Sequence, residues 1–207
     1  MEENPRGDAA CNIKIIIAGD SGAGKTSIIE RYIKGTYYEN RVATISPEFL
    51  TKVIKLSEST FRFNFWDLPG QDKNPVITSV FCKDSNGIIF CCDVSNEKSR
   101  ENLKKWDNSI KNFNDISNIP KIILENKCDI LIDEKNYNDN IEPLRQISDE
   151  LDCINFFRVS ALNGYNINES IDFLINDIIN SLDSKDIQVY QSFMVKTTKK
   201  EDKTKCC

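Results

Sequence analysis

The chain has 207 residues, 29% of them charged and 40% hydrophobic, with a formal net charge of -5, which suits one well-buried domain and falls short of two. The acidic balance argues against nucleic-acid binding by the domain as a whole. The complete lack of histidine removes His-based general bases, Ser-His-Asp triads and His-ligated metals.

Residues 1–10 (MEENPRGDAA) show no basic region leading into an apolar run and no Gly at position 2. They read as a flexible extension, with neither a signal peptide nor myristoylation expected. No apolar stretch reaches the roughly 18 residues a membrane span needs, so the chain is expected in the cytosol. Ile13 to Ala18 (IKIIIA) reads as a short β-branched strand, followed by the loop GDSGAGKT and a helical pattern, KTSIIERYIK, that stops at Gly35. Phe49 to Leu56 and Phe61 to Trp66 read as two strands joined by the polar SEST, an antiparallel hairpin at a sheet edge. Phe61, Phe63 and Phe65 share one face, and Pro47 suits the start of an edge strand. Gly87 to Val94, Ile122 to Glu125 and Ile154 to Val159 read as buried strands, with Cys91 and Cys92 on opposite faces. Ser99 to Phe113 and Asn168 to Leu182 carry apolar residues at helical spacing. Residues 130–141 read as a polar surface loop, and the chain after Leu182 as a disordered tail. Alternation of buried strands with helices predicts an α/β fold with a mostly parallel sheet, helices on both faces and one antiparallel edge.

Of the eight cysteines, none forms a C-x-x-C pair, which argues against a zinc ribbon; the six internal ones are expected to be packing residues. The chemistry is carried elsewhere. Gly19 to Thr26 is a complete G-x-x-x-x-G-K-[ST] loop standing after a strand and opening a helix. Gly24 lets backbone N–H groups approach phosphate oxygens, Lys25 reaches the terminal phosphates, and the Thr26 hydroxyl can ligate Mg²⁺. Asp20, Ser21, Gly22, Ala23 and Ser27 complete the expected nucleoside-triphosphate cradle. At the end of a later strand comes Asn126-Lys127-Cys128-Asp129. A carboxylate there can accept from N1–H and the exocyclic amine of guanine, a donor pair adenine lacks, while the Lys127 stem lies over the ring. Ser160 and Ala161 follow at another strand end.

With these motifs the chain resembles the small GTPases, and among them the Rab family, from about Asn12 to Leu182, through GDSGAGKT, TISPEF, WDLPGQ, NKCD and SAL. The resemblance implies a P-loop NTPase G domain over residues 11–182, with a six-stranded mostly parallel sheet and five helices. It implies GTP/GDP and Mg²⁺ as ligands, and metal ligation by Thr26, Thr44 and, through a water, Asp67. Thr44 and the Gly70 N–H would contact the γ-phosphate, Gln71 would orient the attacking water, and Lys25, Thr44 and Gln71 form the catalytic set. Tyr37 would cover the guanine, with Ala161 and Leu162 on the base loop. By motif no arginine is placed to act in cis, so hydrolysis is expected to be slow. The family's partners follow: an exchange factor, an activating protein, a GDP-dissociation inhibitor, prenylation escort machinery, and effectors reading residues 41–50 and 68–82. Residues 183–207 end in Cys206 and Cys207, the expected geranylgeranyl sites for anchoring a monomeric switch to the cytoplasmic face of an endomembrane. Leu68-Pro69, Asp72, Ser46-Pro47, Glu125 and Leu162 depart from the family pattern; the last two are expected to alter one wall of the base pocket. Leu68-Pro69 and Asp72 leave open the alternative of a GTP-held binding module with little intrinsic hydrolysis.

Overall fold

The computed structural model describes residues 11–56, 59–70, 80–112, 114–131 and 141–182. The expectations for residues 1–10, Gln71, Asp72 and 183–207 therefore lie outside the described residues. Six strands form one sheet: β1 (Cys11–Ala18), β2 (Glu48–Leu56), β3 (Ser59–Asp67), β4 (Gly87–Asp93), β5 (Lys121–Asn126) and β6 (Asn155–Arg158), ordered β2-β3-β1-β4-β5-β6. Only β2 runs antiparallel, paired along its whole length with β3. Pro47 precedes this edge strand, where its missing N–H breaks no ladder.

Around the sheet lie α1 (Lys25–Lys34), α2 (Glu97–Glu101), α3 (Leu103–Lys111), α4 (Glu142–Glu150) and α5 (Ile167–Ser181). Period-two alternation divides the core. Ile13, Ile15 and Ile17, with Phe61, Phe63, Phe65 and Cys91, face α1 and α5. Ile16, Phe90, Cys92 and Ile123 face the opposite layer of Leu103, Trp106, Leu144 and Ile147. Each such fully buried Ile or Phe stabilises by roughly 1.5–3 kcal/mol.

Two helices differ from the sequence reading. The expected helix from Ser99 to Phe113 is two, divided at Asn102, whose side chain leaves the helix surface to bond Asp20. The helix α4 was not expected. Its segment EPLRQISDE is mostly polar, but Leu144, Ile147 and, just past its end, Leu151 line up at spacings of three and four and are buried.

The strand order puts β1 between β3 and β4, so connections leave β1 toward both halves of the sheet. The loops after β1, β3, β5 and β6 meet at the C-terminal strand ends, the crevice where such sheets bind ligands.

Candidate functional site

Between β1 and α1 the chain turns through the glycine-rich loop. Gly24 has φ +92°, and a Cβ on it would stand 2.1 Å from Asn126 Nδ2. Only glycine fits both the left-handed backbone and that approach. Lys25 opens α1 yet is only 6% exposed. Its ammonium donates to the carbonyls of Gly19 at 2.7 Å and Asp20 at 3.0 Å. Burial lowers its pKa, against the opposing pull of Cys91, Asp67 and Asp20.

Three oxygen-bearing side chains converge beside this loop. Thr26 Oγ1 lies 3.0 Å from Thr44 Oγ1 and also donates to Asp67 Oδ2, while Thr44 Oγ1 donates to the same oxygen at 3.3 Å. Asp67 Oδ1 is buried and without a hydrogen-bond partner among the described residues. Burial pushes the Asp67 carboxyl up from its ordinary value, and bonds from Thr26 and Thr44 with the charges of Lys25 and Arg41 oppose it. Two hydroxyls and a carboxylate with an orphaned oxygen are a hard-donor set that fits a magnesium ion. Gly70 closes this end. Its carbonyl accepts from the Ser21 N–H at 3.1 Å, and a Cβ on Gly70 would lie 2.2 Å from that nitrogen. Leu68 anchors the turn: it is fully buried, and its N–H donates to the Ile17 carbonyl at 3.3 Å.

At the other end, Asn126 joins three loops. Its Nδ2 donates to the Ala23 carbonyl at 2.9 Å, and its Oδ1 accepts from the Ala161 N–H at 3.1 Å. Asp129 Oδ1 accepts from Ser160 Oγ at 2.5 Å. Lys127 takes a left-handed backbone, φ +66°, and its ammonium pairs with Asp93 Oδ2 at 2.6 Å. Arg31 of α1 reaches across to the carbonyls of Ala161 at 2.8 Å and Leu162 at 2.6 Å, and its guanidinium lies 5.9 Å from the centre of the Tyr37 ring.

A cavity of about 300 Å³ runs between the two ends. Fourteen expected site residues line it: Ser21, Gly22, Gly24, Lys25, Thr26, Ser27, Tyr37, Thr44, Gly70, Asn126, Lys127, Asp129, Ala161 and Leu162. A Ras family profile matches residues 14–180. The chain belongs to the Ras family of small GTPases. Within it the chain is a Rab-family member. It is 31% identical to Ras-related protein Rab-32 of Sus scrofa over 94% of this chain and 88% of that protein. Ras-related protein Rab-13 of Rattus norvegicus is 31% identical over 80% of this chain and 79% of its own length. Ras-related protein RabG2 of Dictyostelium discoideum is 32% identical over 80% and 81%. The enzyme binds guanine nucleotides and hydrolyses GTP to GDP.

Four residues expected in this GTPase's site stand behind the cavity wall. Ala23 is buried and offers its carbonyl to Asn126; Ser160 is buried and holds Asp129; Asp67 lies beneath Thr26 and Thr44. The Asp20 carboxylate faces away from the cavity, accepting from Asn102 Nδ2 at 2.7 Å and Trp106 Nε1 at 3.0 Å, so only its backbone serves the loop.

Glu125 corrects an expectation as well. It does not line the cavity, whereas Leu162 does. Fully buried on the opposite face from Asn126, it accepts from Arg100 at 2.8 and 2.7 Å and from Arg158 at 2.8 Å. Sequence reasoning passed over Asp93, Arg31 and Arg158, because charged residues at strand and helix ends carry no local signal of which distant group they will meet. It also took no arginine to be placed for action in cis, yet Arg41 lines the cavity.

Proposed function

We propose that this Rab-family chain is a Mg²⁺-dependent GTP-hydrolysing switch that works on membranes in vesicle traffic. The observation that carries the reading is the gathering of Lys25, Thr26 and Thr44 with the Asn126, Asp129 and Ala161 set around one cavity. A guanine at one end then leaves its terminal phosphate beside the hydroxyl pair at the other.

The loop N–H groups and Lys25 bind the phosphates, and Lys25 exchanges the carbonyls of Gly19 and Asp20 for phosphate oxygens. Thr26, Thr44 and Asp67 would hold the metal, which neutralises charge on the β- and γ-phosphates when bound. Gln71 orients the attacking water, and the Gly70 N–H bonds the γ-phosphate. Phosphoryl transfer needs little covalent help, so positioning and charge neutralisation are most of the catalysis. Hydrolysis releases Thr44 and Gly70 from the γ-phosphate, and the segments around them change order. That change is the signal read by effectors on residues 41–50 and 68–82, and set by an exchange factor and an activating protein. Cys206 and Cys207 carry two geranylgeranyl chains. One chain alone anchors only marginally and reversibly, and lysines of the tail add attraction to an anionic leaflet. Among the described residues no helix is long and apolar enough to cross a membrane, and a lipidated tail supplies the attachment. A GDP-dissociation inhibitor and the escort machinery for prenylation act on the same tail.

The test is single-turnover hydrolysis of preloaded GTP with Mg²⁺ and no partner, wild type against Gln71→Leu. Turnover of wild type is expected on the order of 10⁻⁴ to 10⁻² s⁻¹, rising by about 10³ or more with an activating protein. The mutant is expected to be slower still. Equal rates for the two would remove Gln71 from the mechanism.

A further inference from the structure

Arg41 lies on the loop between α1 and β2, three residues before Thr44. It lines the same cavity as Lys25, Thr26 and Thr44. Its guanidinium pairs with Glu30 Oε2 of α1 and stands 5.8 Å from the centre of the Tyr38 ring. Glu30 is 8% exposed and also accepts from Lys34 at 3.1 Å. One nearly buried carboxylate therefore holds two cations, and one of these belongs to the cavity wall.

We propose that Arg41 is a catalytic arginine supplied in cis, held by Glu30 until a γ-phosphate engages it. The proposal rests on the GTP-hydrolysing reading and adds a residue to it. In the step, the water oxygen bonds to the γ-phosphorus and the bond from that phosphorus to the β–γ bridging oxygen breaks. The electron pair stays on GDP, and the water's proton ends on the phosphate product or in solvent. The guanidinium neither gives nor takes a proton. It faces the charge that spreads over the γ-oxygens and the bridging oxygen.

Three features favour this role over that of an ordinary ion pair. Arginine stays charged and presents a planar fork that fits two phosphate oxygens at once, which a lysine cannot match. Lys25 already serves the loop side of the cavity, so Arg41 brings a second cation from the opposite loop. The Arg41 side chain is 30% exposed, and Glu30 keeps Lys34 as a partner when Arg41 leaves. A polyphosphate of higher charge can therefore draw the guanidinium from Glu30.

The experiment uses the full chain, loaded with GTP and Mg²⁺ and without any partner. Compared are wild type, Arg41→Ala, Arg41→Lys and Glu30→Gln. Arg41→Ala is expected to slow cleavage by roughly ten- to hundredfold with GTP affinity little changed. Arg41→Lys should recover little, and Glu30→Gln should cleave as fast as wild type or faster. A second readout separates catalysis from structure: binding of aluminium fluoride to the GDP form, which mimics the transferring phosphoryl group. Wild type and Glu30→Gln should form that complex alone, and Arg41→Ala should not. Wild-type cleavage rates and complex formation in Arg41→Ala would overturn the proposal while leaving the GTPase reading intact. A wild type that binds no GTP, or never cleaves it, would overturn both.

Discussion

Lys127 and Asp93 form an ion pair of 2.6 Å that ties the end of β5 to the end of β4. Asp93 also accepts from the N–H and hydroxyl of Ser95, at 2.9 and 2.7 Å. The pair fixes the ammonium of a residue that also lines the cavity. A motif lysine that sequence alone assigns to the base is thus also a clasp between two strand ends.

The clasp has a pH signature. Burial alone would raise the Asp93 carboxyl, but the bonds from Lys127 and Ser95 outweigh it and hold the pKa below the ordinary value. A carboxyl depressed in the folded state stabilises above its unfolded pKa of about 3.9 and loses that contribution as pH falls through the lower folded value. Asp93→Asn should therefore cost stability at neutral pH, about 1 kcal/mol or less because Lys127 is half in solvent. The difference from wild type should begin to shrink near pH 4 and vanish only below the lowered folded value. Urea unfolding at saturating GDP across acidic pH checks this, and an undiminished difference at the acid end would contradict it.

Glu125 makes a larger prediction. Its carboxylate is fully buried and bonded to Arg100 of α2 and Arg158 of β6, so it joins a helix to an edge strand. Glu125→Ala removes the anion between two buried guanidiniums and should destabilise by about 3–5 kcal/mol. Replacing all three groups, with Arg100→Met, Glu125→Leu and Arg158→Met, should recover most of the loss, because desolvating the charges offsets much of their attraction. Denaturant midpoints of the single and triple variants decide it. A single variant as stable as wild type would show that the guanidiniums find other company.

These two pairs mark where sequence reading works and where it stops. The loop from Gly19 to Thr26 is legible because its function depends on local spacing: a strand end, glycines and a helix start within eight residues. Phe61, Phe63 and Phe65, or Cys91 against Cys92, are legible because a strand's period is two, and each falls on the expected side of the sheet. Glu125 with Arg100 and Arg158, or Arg31 with Ala161, are separations of 25 to 130 residues that only the folded sheet brings together. The break at Asn102 is of the same kind, since a distant Asp20 claims its side chain. In α4, polar residues outnumber Leu144 and Ile147, the apolar ones that decide burial.

Gly70 tests the phosphate end. With a Cβ 2.2 Å from the Ser21 nitrogen, Gly70→Ala must push the segment after β3 away from the loop after β1. Displacement of about 1 Å at a reacting centre costs on the order of 10²-fold in rate. GTP cleavage should fall by that scale, while GDP affinity changes far less, because the Asn126 and Asp129 set at the far end is untouched. Single-turnover rates and GDP titration of the same variant give the two numbers. Equal losses in both would mean that the whole cradle has moved.

Arg31 tests the base end. Its guanidinium donates to three carbonyls: Ala161 at 2.8 Å, Leu162 at 2.6 Å and Gly35 at 2.8 Å. Two of these belong to the loop that presents the Ala161 N–H, and the third is the residue ending α1. Charge-assisted bonds of this kind are about twice as strong as neutral ones, and a planar fork makes them together. Arg31→Ala should free the base loop and speed GDP release by about tenfold or more. Cleavage of bound GTP should be unaffected, since Arg31 stands on the side away from Thr44 and Gly70. Arg31→Lys should recover little, because one ammonium cannot span three carbonyls in a fixed geometry. Release of a fluorescent GDP analogue, measured beside single-turnover cleavage, separates the two effects. Unchanged release in Arg31→Ala would mean that Asn126, through its bond to the Ala161 N–H, holds the loop without help from α1.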